Sequence, residues 1–544
     1  MNVFKSILLG SAVGFLATSA LAADLPTRKA APVEYVRICD IYGAGFFYLP
    51  GTDTCLKVGG LALFQMRVYA PQRFQQGSLL ANGIGGGVAR SILTATGAPN
   101  AVAPSGVKSA KTRDALSTDM LARLELDARD QTAFGTLRTY LRVDSTYGSA
   151  AGSATGSLSG IQNTAQTPNA QRELTYVNKA FIQFAGFTAG RAQSMFDFYA
   201  DAYNYESLRG SNTTTTLLAY TATFGGGFSA TISAEDEVAR RNLIGTTLGG
   251  LTAASAGGAF VNGVFVPQTG VQLGPRTSDT GGTRAPDIVG AIRVDQAWGA
   301  AQLSAAGHEI RAEDFAGGAG GNIGTLESSS NKYGFAVQGG VKINLPFIAA
   351  GDTLYLQAAY ARGATGYLTG NNLSFIEGGD NQRHGGTGFA GGLNNSPGYD
   401  RRDFDCVFIA TGRCQESQGI NALAAYKHFW APTVSQAVYG SYYSIYYGNA
   451  SRLGGNVNAN GSSNFTNTGV GSIGVGNVRE FRVGSNLVWT PIKNFDIGVE
   501  GMYMRLHQDT PLGLTTVSAT GVAAPNFTNN INQFEGRLRV QRAF

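Results

Sequence analysis

Beyond its first 22 residues the chain has no stretch approaching the ~20 unbroken apolar residues that a membrane-spanning helix requires. A helical membrane protein is thereby excluded. Charge is scarce as well: only 14% of residues are charged, with 41 Lys and Arg against 36 Asp and Glu. The small surplus is dispersed, without a basic tract or aromatic-basic interleaving, so nucleic-acid binding finds no support. Histidine is rarer still, at His308, His384, His428 and His507. None lies in a serine nucleophile motif such as G-x-S-x-G, which leaves a hydrolase without candidate residues. The carboxylates of Glu235-Asp236-Glu237 fall at a strand–loop edge and read as solubilising charge. No cofactor is expected, and no metal site.

Cysteine is limited to two close pairs, Cys39/Cys55 and Cys406/Cys414. An even count in an exported chain favours disulfides. Metal ligation is the rival reading, but neither pair has C-x-x-C spacing or a nearby His pair. Export itself is read from the start of the chain. Lys5 supplies a positive n-region, Ile7 to Leu21 an apolar stretch, and Ala20-Leu21-Ala22 a small-residue cleavage site. Residues 1–22 are therefore expected to be a signal peptide, and 23–56 an N-terminal segment holding the first cysteine pair. The rest, 57–544, is expected to be one barrel domain.

What the chain does have is glycine, 75 residues of it, and a mean hydropathy of -0.04. That balance suits half-buried alternating strands joined by Gly/Asn/Ser/Thr loops. Leu121, Arg123, Glu125, Asp127 and Arg129 share one parity; Met120, Ala122, Leu124, Leu126 and Ala128 share the other. After a turn expected at Asp130-Gln131 the pattern returns, with Ala133, Gly135, Leu137, Leu141 and Val143 set against Arg138, Tyr140, Arg142 and Asp144. Similar hairpins are expected at 172–195, 217–235, 287–311, 331–362, 419–447 and 479–507. Their turns are short: Ala185-Gly186, Gly225-Gly226, Ala297-Trp298-Gly299, Trp430-Ala431-Pro432. Long segments, such as 71–117, 236–286, 363–418 and 448–478, separate the hairpins.

A soluble sheet would bury its apolar parity in a core, and that accounts for any single strand. Repetition, with short turns on one side and long loops on the other, is the asymmetry of an outer-membrane barrel. Adding a strand near 57–70 and a last one near 532–544 gives 16 strands with both ends on the short-turn side. A barrel of that size encloses an aqueous lumen. Aromatics near strand ends (Phe46, Phe47, Tyr48; Phe429, Trp430; Tyr442, Tyr443, Tyr446, Tyr447) are expected to form interfacial girdles, with cross-strand packing as the alternative.

In the last strand, Phe534, Leu538, Val540 and Phe544 alternate with Glu535, Arg537, Arg539 and Gln541. It resembles the C-terminal strand of bacterial outer-membrane barrels. That resemblance makes Phe544 an assembly signal read by the barrel-assembly machinery. The block Glu34-Tyr35-Val36-Arg37-Ile38-Cys39-Asp40-Ile41-Tyr42-Gly43-Ala44-Gly45-Phe46-Phe47-Tyr48-Leu49-Pro50-Gly51-Thr52-Asp53-Thr54-Cys55-Leu56-Lys57-Val58-Gly59-Gly60 resembles the N-terminal signature of alphaproteobacterial porins, those of rhizobia and brucellae. The likeness continues through the hairpin near 174–198 and the last strand. It implies an all-β fold: a 16-stranded antiparallel transmembrane β-barrel with short periplasmic turns, long extracellular loops and an inward-folded third loop. It further implies a homotrimer among outer-membrane lipid and lipopolysaccharide, passing small hydrophilic solutes by diffusion.

The segment Arg191–Gly210, by strand count the third long connection, is aromatic and acidic rather than Gly/Ser-rich. In general porins that loop forms the constriction. Phe196, Phe198, Tyr199, Tyr203 and Tyr205 would then anchor it, leaving Asp197, Asp201 and Glu206 to face the solute path. Asp201 has a local alternative, stabilising the loop through its own backbone. Strand parity offers inward bases at Arg123, Arg138, Arg142, Lys179 and Arg191, with Arg482, Arg537 and Arg539 nearer the closure. Acids and bases across a narrow lumen would orient polar solutes. Each base has a local alternative too, such as Arg123 pairing with Asp127 or Arg129 with Glu125. The rival function is a substrate-selective porin for sugars or for phosphate and other anions. A surface adhesin has no repeat or binding motif to support it, and a TonB-type transporter no plug domain.

Overall fold

Alternation becomes a closed wall in the computed structural model. It describes residues 37–69, 74–75, 108–109, 116–148, 172–246, 259–261, 264–266, 274–317, 323–369, 403–409, 412–453, 476–509 and 530–544. The barrel strands are β1 (Cys55–Tyr69), β2 (Leu116–Thr132), β3 (Gly135–Gly148), β4 (Arg172–Phe184), β5 (Phe187–Gln193), β6 (Thr214–Gly225), β7 (Phe228–Glu235) and β8 (Asp287–Gln296). They continue as β9 (Gly299–Gly317), β10 (Ile323–Asn344), β11 (Thr353–Arg362), β12 (Gln418–Ala431), β13 (Val434–Tyr446), β14 (Val478–Ile492), β15 (Phe495–Gln508) and β16 (Asn530–Ala543). Each pairs antiparallel with the next, and β16 returns to β1 from Leu61↔Ala543 to Tyr69↔Glu535. The result is a closed 16-stranded antiparallel barrel. Closure satisfies every ladder group internally, the condition for crossing lipid.

Parity decides which face each side chain takes. Val58, Phe64, Met120, Leu124, Ile182, Ile232, Ile292 and Leu303 are exposed on the outside, while Gln65, Arg67, Asp127 and Arg142 are buried on the inside. In water such an inversion would be unstable; in a bilayer it is required. At the seam, Phe544 exchanges both backbone hydrogen bonds with Gly60, at 3.1 and 3.2 Å. Gly60 is needed there, because a Cβ would lie 2.6 Å from the Arg123 carbonyl oxygen and run into the Phe544 ring.

Several boundaries differ from the expected ones. The first hairpin turns at Ala133-Phe134, not Asp130-Gln131, since Thr132 pairs with Gly135 and its hydroxyl donates to the Gly135 carbonyl at 2.7 Å. Gly135 takes a φ of 109°, a region that favours glycine. Two other turns fall slightly later than expected, at Gly226-Gly227 and Pro432-Thr433. β9 and β10 reach 19 and 22 residues, well past the ~10 a membrane strand needs. In β9 His308, Glu309, Ile310 and Ala312 are all buried beneath outer segments, so strict alternation does not mark that end.

Trp298, Trp430 and Trp489 are exposed near the short-turn ends, with Phe134, Phe224, Phe228 and Phe347. Tyr333, Tyr442, Tyr446 and Phe481 are exposed toward the loop ends. Three residues expected in the girdles lie elsewhere: Tyr443 and Tyr447 are buried inside the barrel, and Phe46 is buried beside the first disulfide.

Both cysteine pairs are closed. Cys39–Cys55 has a Cα separation of 5.9 Å and Cys406–Cys414 one of 5.6 Å. The first staples a small hairpin in which Phe47–Tyr48 pairs with Cys55 and Leu56. Arg129 from β2 sits 4.9 Å over the Phe46 ring and holds that hairpin to the inner wall. The expected signal peptide lies outside the described residues.

Candidate functional site

Between β5 and β6 the chain does not stay at the rim. Residues 194–213 enter the barrel and are tied to its inner wall strand by strand. The Phe196 carbonyl accepts from Ser304 of β9 at 2.9 Å and Gln338 of β10 at 2.8 Å. Tyr199 N donates to Gln357 of β11 at 3.0 Å, and Arg209 N to Ser441 of β13 at 3.0 Å. Tyr203 and Ser207 carbonyls accept from Asn486 and Arg482 of β14, both at 2.6 Å. The amides of Tyr205 and Glu206 share the Glu500 carboxylate of β15 at 2.6 and 2.9 Å. Finally Arg537 of β16 donates to the Tyr205 carbonyl at 2.7 Å, and Arg539 lies 4.0 Å over the Tyr205 ring. These wall groups give the loop's backbone the partners that water would otherwise supply.

The three loop acids occupy this lining rather than open water. Asp197 accepts from Arg240 at 2.8 Å, from Thr213 N at 2.6 Å and from the Ser211 hydroxyl. Asp201 accepts from Asn204 at 2.7 Å, Leu208 N at 3.1 Å and Asn212 at 3.0 Å, and so follows its local alternative. Glu206 pairs with Arg537. The expectation that these carboxylates face the solute path is corrected accordingly. A carboxylate taken out of open water must find donors nearby, or its desolvation is not offset.

On the arc β2–β4 the bases share acids two to one. Arg123 and Arg142 both hold Asp144, at 2.8 and 3.0 Å. Arg129 and Arg138 both hold Asp127, at 2.8 and 3.0 Å. These pairs replace the expected Arg123–Asp127 and Arg129–Glu125 contacts. Lys179 is the cross-strand partner of Arg142 and faces the same side. Arg482 pairs with Glu480, and Arg537 with Glu206 and Glu535; both belong to the loop's anchorage, as does Arg539. Arg191 is a correction. It pairs with Thr216 and shares its parity with exposed Phe187, so it points away from the lumen, with Nε donating to the Asn178 carbonyl at 3.1 Å.

Outer segments press on the same loop. The guanidinium of Arg240 lies 4.4 Å from the Tyr367 ring centroid and 5.8 Å from that of Phe196. Leu243–Thr246 runs parallel to Phe404–Phe408, which pairs antiparallel with Cys414–Glu416, so the second disulfide staples a small sheet. Phe196, Tyr367, Leu368, Phe404 and Tyr443 pack into one buried cluster with wall alanines. Glu235 and Glu237, expected to be solubilising, are buried, and Glu235 accepts from the Ser194 hydroxyl at 2.6 Å and Met195 N at 2.9 Å. Sequence reasoning also missed Arg209, Arg240 and Glu500. Nothing local sets them apart, because their partners lie tens to hundreds of residues away.

A closed barrel, apolar outside and charged inside, with a loop pinned across its interior, defines an outer-membrane porin. The chain belongs to the porin subfamily, whose family model matches residues 24–533. It is 28% identical to the porin Omp2b of Brucella suis over 371 residues, covering 67% of this chain and 76% of that protein. It is 30% identical to the porin Omp2a of Brucella melitensis over 242 residues, 43% of this chain and 56% of that one. Among solved structures, the outer-membrane channel DcaP of Acinetobacter baumannii aligns with 91% of this chain and 99% of its own, at 12% identity and a TM-score of 0.49. The protein is thus a porin channel, a multi-pass β-barrel of the outer membrane.

Proposed function

We propose that this is a general diffusion porin whose solute path runs between the inward loop 194–213 and the arc β2–β4. The observation carrying the reading is the loop's anchorage to β9–β11 and β13–β16, which sheathes that side of the lumen, while Asp197 and Glu206 pair with Arg240 and Arg537 and Asp201 is held by donors of the loop itself. Charge on the path then comes from the opposite arc. There Arg123, Arg129, Arg138, Arg142 and Lys179 outnumber Glu125, Asp127 and Asp144, with Asp119 held by Arg67 of β1, and a basic surplus in a confined lumen favours anions. The channel works as a homotrimer among lipid and lipopolysaccharide, and Phe544 at the β1–β16 seam serves the assembly machinery.

Planar-bilayer recording across a salt gradient tests this. The purified protein is expected to insert in steps that close in threes, with a reversal potential on the anion side. Replacing Arg138 and Arg142 together with Gln is expected to move that potential toward cations; an unchanged value would remove them from the path. Block of conductance by millimolar phosphate or sugar would instead mark a substrate-selective channel.

A further inference from the structure

Glu237, Asp287 and His308 converge from three elements outside the loop's anchorage. Glu237 opens the 3-10 turn Glu237–Ala239, Asp287 opens β8, and His308 lies in β9. Their ligating oxygens and ring nitrogen all fall within 4.8 Å of one another, and all three residues are buried. His308 Nδ1 is 2.9 Å from an Asp287 oxygen, while Nε2 is 3.7 Å from the carboxylate of Asp405. Nearby positive charge is largely committed, since Arg240 holds Asp197. Glu237 itself is 2% exposed. Its Oε1 is reached by Arg241 at 3.4 Å, and its Oε2 accepts no hydrogen bond among the described residues. A buried carboxylate oxygen without a donor is costly and points to a ligand that supplies positive charge.

We propose that Glu237, Asp287 and His308 bind one divalent transition-metal ion. An imidazole with two carboxylates is a mixed donor set suited to Zn²⁺ or Mn²⁺ rather than to an all-oxygen ion such as Ca²⁺. The ion takes the place of the proton shared between His308 and Asp287, which is released to solvent. It draws the turn after β7 onto β8 and β9. Asp405 stands beside it on the strand that the second disulfide staples. The site lies away from the basic arc, so it joins outer segments and does not contact the solute path.

The test uses the full chain, folded in detergent, stripped with EDTA and titrated separately with Zn²⁺ and Mn²⁺ by calorimetry. Metal content is then measured by mass spectrometry after desalting. One of the two ions is expected to bind at one per chain, and Glu237→Gln to weaken it at least ~10-fold. His308→Gln is expected to weaken it further. Heat-modifiable gel mobility verifies that each variant is folded; Glu237→Gln removes only an acid paired with a part-exposed arginine. Absence of binding above a buffer control, or equal affinity in Glu237→Gln, would overturn the proposal and leave His308 as an imidazolium between carboxylates.

Discussion

Arg240 has no sequence neighbour that explains it, yet its guanidinium is fully buried against the Asp197 carboxylate and the rings of Phe196 and Tyr367. Removing one partner of a buried pair leaves the other uncompensated, at about 3–5 kcal/mol. Arg240→Ala is therefore expected to loosen loop 194–213, lowering the denaturant midpoint in detergent and raising open-channel noise. Asp403 offers a pH test at the same scale. Burial pushes its carboxyl up to about 6, with Arg209 opposing. The docked segment then holds the proton more tightly than a detached one would, so docking strengthens as pH falls and weakens as pH rises through about 6. Open-channel noise is expected to drop between about pH 7 and about pH 5, and Asp403→Asn to flatten that dependence. Which arginines point inward was legible from parity alone for Arg123, Arg138 and Arg142. Arg191 was misassigned: with Phe184 opposite Phe187 across the expected Ala185-Gly186 turn, it lies opposite Ala180 and so on the face away from Lys179.

Elements were legible to the extent that lipid dictated them. Where one face meets hydrocarbon and the other water, strands must alternate, and the hairpins were found. Toward the loop end of β9, His308, Glu309 and Ile310 are all buried under outer segments, and the alternation is lost. The disulfide-stapled strands Phe404–Phe408 and Cys414–Glu416 carried no strand signal, since the first is buried on both faces and both are short. Their stability rests on the Cys406–Cys414 bond, whose loop of 8 residues places it toward the lower end of the usual ~2–4 kcal/mol. Replacing both cysteines with Ser is expected to speed limited proteolysis within residues 403–417. The melting temperature of the barrel itself should hold, because its ladders do not depend on that sheet.

At the scale of the whole molecule, the three tryptophans act as a depth gauge. Trp298, Trp430 and Trp489 are all exposed at one rim of the barrel, the short-turn end. In reconstituted vesicles, bromine placed near the lipid headgroup is expected to quench their fluorescence more than bromine at the acyl-chain end; the reverse order would contradict this rim as an interfacial belt. The number of strands and most of the inside and outside of the wall were legible in the sequence alone, which also favoured the two disulfide pairings, because alternation, turn chemistry and close cysteine spacing are local. Only the tertiary structure decided how the lumen is charged. Within loop 194–213, Asp197 is taken up by Arg240 and Glu206 by Arg537, both distant in sequence, while Asp201 turns to donors of the loop itself. A carboxylate's fate depends on which donors arrive beside it, and no local pattern records that.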